Sequence, residues 1–136
     1  MIAGNRGLPS QPLPLSSPGA RRIVSLEDSM VSNLRDITVT HEPGVDYRHL
    51  AETKKMASSH VSVLPGQKVP RHTHNDEEQV YYCLRGQADL ELGGVIHRLE
   101  PDTFVQIPMG TEHEVRNTGS EPFDYVYFVA FVPPHD

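Results

Sequence analysis

Residues 71–86 read RHTHNDEEQVYYCLRG. Two histidines stand one residue apart, a run of acids and an amide follows, and a β-branched and aromatic segment closes on a glycine. Such a segment, stopped by Gly86, reads as a strand. Side chains two apart on a strand share a face. Counted back from Gly86, Gln79, Tyr81 and Cys83 therefore share one face, and Val80, Tyr82 and Leu84 share the other. His72 and His74 are also two apart and are expected to point together into the interior. Glu77 and Glu78 fall in the connecting loop as expected rim residues.

Working outward, short strand patterns with Gly and Pro punctuation continue in both directions. Ile37, Val39 and His41 alternate before a turn at Pro43-Gly44. The segment Tyr47–Lys55 is ambiguous between an extended edge strand and a turn or two of helix. Val61 and Val63 alternate with His60 and Ser62 before Pro65-Gly66. On that parity His60 faces away from the interior and suits a surface or interface role. Ala88, Leu90 and Leu92 alternate with Asp89 and Glu91, and Gly93-Gly94 closes a hairpin. Three more strand patterns follow, the last being the apolar FDYVYFVAFVPP, residues 123–134. With no long helical period, the pattern predicts an all-β sandwich or barrel. Residues 1–20, rich in Pro, Ser and Gly, read as a flexible N-terminal arm, a disordered or loosely ordered segment. Residues 21–136 read as one domain, opening with a short strand from Arg21.

Composition narrows the function classes. A chain of 136 residues supports one domain with a real core. Twelve prolines and ten glycines disfavour a helical bundle. A formal net charge of −6 without a basic block disfavours nucleic acid and anionic membranes as partners. No apolar run has the length of a membrane span, and no apolar leader stands at the N-terminus. The single cysteine, Cys83, has no intramolecular partner and fits a reducing compartment, so the expected localisation is cytoplasmic. Cys83 reads as a small buried hydrophobe.

Two segments combine into a longer pattern. Gly66 is followed by five residues, His72-Thr-His74, an acidic stretch and Gly86. Asp102 is followed by five residues, Pro108-Met-Gly110, two residues, His113, three residues and Asn117. Together they resemble the paired motifs of the cupin superfamily, G(X)5HXH(X)3–4E(X)6G and G(X)5PXG(X)2H(X)3N. The resemblance spans roughly residues 57–132, most of the chain. It implies a double-stranded β-helix, the jelly-roll barrel, in a small single-domain cupin. It also implies one divalent transition metal (Zn, Fe, Ni or Mn) held by His72, His74 and His113 inside one end of the barrel. Imidazole ligands suit these ions, and three of them leave coordination positions open. Cupins of this size commonly form homodimers through one sheet and exchanged N-terminal strands, and a homodimer is expected here. Asp102 stands where the family has glycine, and Pro-Asp is good turn chemistry. Asn117 is expected to cap a turn.

The fourth ligand is the departure that matters. Counting back across six residues from Gly86 gives Gln79, whereas counting four onward from His74 gives Glu78. One residue turns a side chain to the other face, so only one of them can reach the metal. The count along the continuous strand favours Gln79, with Glu78 the alternative, and implies that Gln79, Tyr81 and Cys83 face the cavity while Val80, Tyr82 and Leu84 pack against the other layer. A Gln79 site would hold three neutral imidazoles and a neutral amide, leaving the metal charge uncompensated and favouring an anionic ligand. This variant resembles pectin-degradation cupins and small polyketide-cyclase cupins with His-and-Gln zinc sites. The expected function is a metal-dependent enzyme acting on a small oxygenated, anionic organic substrate by Lewis-acid isomerase, lyase or cyclase chemistry. Tyr81, on the face of Gln79, is the candidate catalytic acid or base, a role that calls for a lowered pKa. An iron-dependent dioxygenase is the alternative that Glu78 ligation would favour, and a non-catalytic metal or small-molecule binding module is a third.

Overall fold

The computed structural model describes residues 30–136. The arm expected over residues 1–20 and the strand expected from Arg21 lie outside the described residues. A 3-10 turn, Leu34–Asp36, precedes ten strands: β1 (Val39–Glu42), β2 (Val45–Glu52), β3 (Met56–Val63), β4 (Lys68–His72), β5 (Glu77–Arg85), β6 (Ala88–Leu92), β7 (Val95–Leu99), β8 (Phe104–Ile107), β9 (His113–Arg116) and β10 (Phe123–Phe131). They form a six-stranded sheet in the order β1-β2-β3-β10-β5-β8 and a four-stranded sheet in the order β4-β9-β6-β7. The strand pairs are antiparallel. The non-consecutive neighbours, β10 between β3 and β5 and β9 between β4 and β6, are the crossovers of a jelly roll.

The core fills the space between the sheets. Val45 and Tyr47 of β2, Val61 and Val63 of β3 and alternate residues of β10 from Phe123 to Phe131 face inward. Val69, Leu90, Leu99 and Val115 meet them from the four-stranded sheet. On β5 the buried residues are Glu77, Gln79, Tyr81 and Cys83. The interior changes character along this strand. Glu77 and Gln79 lie at one end, Cys83 at the other, and Tyr81 stands between.

Several expectations are corrected. The ambiguous segment Tyr47–Lys55 is strand as far as Glu52, where β2 ends, and β2 lies between β1 and β3 instead of on an edge; inward-facing Tyr47 makes burial decide against helix. Tyr82 and Leu84 do not pack against the other layer. They are exposed on the outer face of the six-stranded sheet, and Val80 is half-buried there. A sandwich strand has two faces, and the face that lines the cavity is the one that meets the second sheet. Strand β5 also starts earlier than expected, at Glu77, so Glu77 is no rim residue.

The parity of β3 is as read: Val61 and Val63 face inward and His60 faces outward. His60 is nevertheless buried, with Nε2 3.8 Å from Asp124 Oδ2. Burial pulls its pKa below the ordinary value, against the opposing pull of Asp124.

Candidate metal centre

Three turns bring the site together. β4 ends at His72, whose Cα partner on β9 is His113. His74 lies just beyond the strand, in the turn toward β5, so it reaches the interior through that turn. The Gly110 amide donates to the His74 carbonyl at 2.7 Å, joining the two motif loops directly. Gly110 has φ +79 in the tight turn after Pro108. Asn117 anchors the far end of β9: its amide nitrogen donates to the carbonyls of Val63 (2.9 Å) and Glu121 (2.8 Å), and its oxygen accepts from the Gly119 amide (2.8 Å).

His72, His74 and His113 converge. Their candidate ligand nitrogens lie within 4.8 Å of one another, and their ring centroids are 4.8, 4.2 and 5.9 Å apart. Backbone carbonyls orient two of the rings. His72 Nδ1 lies 2.6 Å from the Pro70 carbonyl and His113 Nδ1 2.9 Å from that of Thr111. A carbonyl only accepts, so each Nδ1 must carry the proton and each Nε2 keeps its lone pair. For His74, Nδ1 lies 3.5 Å from Glu77 Oε1. The Nε2 atoms of His72 and His113 and the Gln79 Oε1 are buried with no hydrogen-bond partner among the described residues, and His74 Nε2 is also buried. Native proteins rarely leave several buried acceptors unsatisfied in one place. A divalent cation satisfies lone pairs of this kind.

The electrostatics favour the neutral, ligand-ready form of His72 and His113. Burial lowers the pKa of His72, reinforced by the neighbouring His113 and opposed by the Pro70 hydrogen bond. Burial pulls His113 down to about 4. His72 keeps partial exposure, so the site opens to solvent beside it.

Gln79 and Glu78 separate as strand parity requires. Gln79 is 3% exposed and faces inward between Glu77 and Tyr81, whereas Glu78 faces solvent. Gln79 Nε2 donates to Glu77 Oε1 at 2.8 Å. An ionised carboxylate has no proton to give, so the amide turns its nitrogen to Glu77 and leaves its oxygen for the site. Tyr81 is buried edge-on to His113, with ring centroids 6.3 Å apart. Burial raises its pKa, opposed by a hydrogen bond from Tyr125, so the phenol holds its proton. Tyr47, Tyr125 and Tyr127 complete an aromatic floor; Tyr81 and Tyr125 are 4.6 Å apart. Cys83 is buried, and burial pushes its thiol up to about 12, the behaviour of a packing residue and not of a nucleophile.

Two features of the interior escaped the sequence reading. Glu77 carried a usable signal, since it stands two residues before Gln79 and shares its face. Tyr47 carried none, because its segment did not declare itself a strand.

The cupin domain family model matches residues 59–129, more than half of the chain, and this chain belongs to the cupin family. Polyketide synthase CurC of Streptomyces cyaneus is 29% identical over 70 residues, 52% of this chain and 46% of that protein. The chain spans about half the length of the curated relatives it matches. Among solved structures, a predicted oxalate decarboxylase from Thermotoga maritima superposes with TM-score 0.71 at 22% identity, over 76% of this chain and 100% of that one. The polyketide cyclase RemF from Streptomyces resistomycificus superposes with TM-score 0.65 at 21% identity, over 74% and 78%. At these identities the structures establish the jelly-roll fold.

Proposed function

We propose that this cupin is a metal-dependent enzyme of Lewis-acid type, with His72, His74, His113 and Gln79 holding one divalent transition ion. The carrying observation is the set of buried acceptors, the Nε2 atoms of His72 and His113 with Gln79 Oε1, that no group among the described residues satisfies. When bound, the ion supplies a Lewis acid that draws electron density from a substrate oxygen. Tyr81 holds a proton on the same face of β5 and gives it to a developing oxyanion or carbanion. The phenols of Tyr47, Tyr125 and Tyr127 close the inner end against water. This interior suits a small, oxygen-rich, partly aromatic molecule. Similarity to a polyketide synthase component and to a polyketide cyclase favours the cyclase branch of isomerase, lyase and cyclase chemistry. The outward-facing Glu78 speaks against the iron dioxygenase reading, which Glu78 ligation would favour. A homodimer belongs to the same proposal, supported by exposed Tyr82, Leu84, Phe104 and Phe128 on the outer sheet face, and the proposed location is the cytoplasm.

The test is metal content after purification without chelator, for wild type and three variants. His72→Ala is expected to abolish stoichiometric metal. Gln79→Ala is expected to weaken retention about ten-fold or more, and Glu78→Ala to leave it unchanged. Loss of metal in Glu78→Ala alone would overturn the ligand assignment. Cyclisation of a poly-β-carbonyl chain without oxygen uptake supports the Lewis-acid reading, and oxygen consumption with iron would replace it by the dioxygenase.

A further inference from the structure

The four proposed ligands are all neutral, yet the nearest buried carboxylate stands directly behind two of them. Glu77 is 2% exposed. Its Oε1 accepts from Gln79 Nε2 at 2.8 Å and lies 3.5 Å from His74 Nδ1. Both contacts are on the far side of those residues from their ligand atoms, Gln79 Oε1 and His74 Nε2. Burying a carboxylate is costly unless other groups compensate its charge.

We propose that Glu77 is a positioning residue that aims Gln79 and His74 at the metal and carries the negative charge that the ligand set lacks. This inference rests on the metal reading above. Two physical effects follow from one oxygen. Holding the Gln79 amide nitrogen fixes which end of the amide meets the site, a choice that an unanchored glutamine leaves open. Donation from that N–H into a carboxylate also shifts amide electron density toward Oε1, which makes a weak neutral ligand a better one. Facing Nδ1 of His74 with a carboxylate keeps the proton there and raises the basicity of Nε2, as carboxylate–histidine–metal triads do. The charge thus sits one side chain behind the ligand shell instead of in it. The ion keeps a neutral inner set, and its positive charge is balanced at a distance.

The experiment uses Co2+ alone as probe on the full chain. Affinity is read by chelator competition, geometry by the visible ligand-field bands, and folding by the urea midpoint of the metal-free protein. Glu77→Gln keeps the volume and removes the charge. It is expected to weaken Co2+ about ten- to a hundred-fold and to shift the bands, with no drop in the metal-free midpoint. Gln79→Glu sets two carboxyl groups against each other at the present 2.8 Å contact, so it is expected not to improve affinity. Combining Glu77→Gln with Gln79→Glu exchanges carboxylate and amide, and is expected to bind Co2+ more tightly than either single variant. Wild-type affinity and unshifted bands in Glu77→Gln would overturn the proposal. If Glu77→Gln does not fold, a combined variant no tighter than Gln79→Glu overturns it equally. Failure of the metal reading looks different: the wild type takes up no stoichiometric Co2+ and His113→Ala changes nothing, which sinks both.

Discussion

The imidazoles of His72 and His113 are built to stay neutral, and that has a consequence for stability. Burial holds His113 near 4 and His72 lower still, and it lowers His49 and His60 as well. In the unfolded chain each returns to about 6.5. Between those values the unfolded chain binds more protons than the folded one, so stability rises with pH across the window. The contribution of His113 is fully present above about pH 6.5 and is lost as pH falls through about 4, by at most about 1.4 kcal/mol per pH unit. The urea midpoint of the metal-free protein is therefore expected to fall between pH 7 and pH 5, and His113→Ala to flatten that slope. At this scale the sequence was informative where spacing carries direction. Strand parity separated Gln79 from Glu78. The same rule taken two residues further back would have placed Glu77 inside; starting the strand at Gln79 hid it. What residue types alone do not disclose is that Glu77 lies against both the Gln79 amide nitrogen and Nδ1 of His74.

Among the turns, Gly86 and Gly94 have similar left-handed backbone, φ +81 and +86. Their surroundings differ. A Cβ at Gly86 would run into the Pro122 carbonyl, whereas at Gly94 nothing stands within 4 Å. Gly94→Ala is expected to cost only the conformational penalty, on the order of 1 kcal/mol, and Gly86→Ala roughly 2 kcal/mol or more, because backbone must also move. Urea titration of the two variants checks the order. Asp102 shows the same logic from the other side. It adopts φ +72 without being glycine, its amide bonds the Cys83 carbonyl, and its carboxylate accepts from the Tyr82 hydroxyl at 2.7 Å. Aspartate is one of the few residues that tolerate this region, so the departure from the family glycine leaves the turn intact. Elements bounded by Gly and Pro were readable from local chemistry. Strand β2 was not, because Tyr47–Lys55 lacks clean alternation and only its neighbours β1 and β3 decide its state.

At the scale of the whole molecule, the outer face of the six-stranded sheet carries an exposed apolar patch. Tyr82 pairs with Phe104 across β5 and β8, and Phe128 lies on β10 beside them; Phe104 is 64% exposed. Patches of this kind mark interaction surfaces, and a stable interface needs about 800 Å² per partner. Sedimentation is expected to show a dimer for the wild type and a monomer for Phe104→Glu, with metal content unchanged. A monomeric wild type at micromolar concentration would remove the dimer from the proposal. The jelly roll itself was legible because the paired motifs span most of the barrel, and turn residues set their strands apart. Which sheet face meets solvent was not, since apolar residues stand on both faces of β5.

The aromatic floor has one more consequence. The chain has no tryptophan and five tyrosines, and four of them, Tyr47, Tyr81, Tyr125 and Tyr127, lie in the barrel interior. Its ultraviolet emission and near-ultraviolet dichroism therefore originate mainly from the chamber beside the histidines. An optical signal that in most proteins averages over the whole molecule is here an intrinsic reporter of the site.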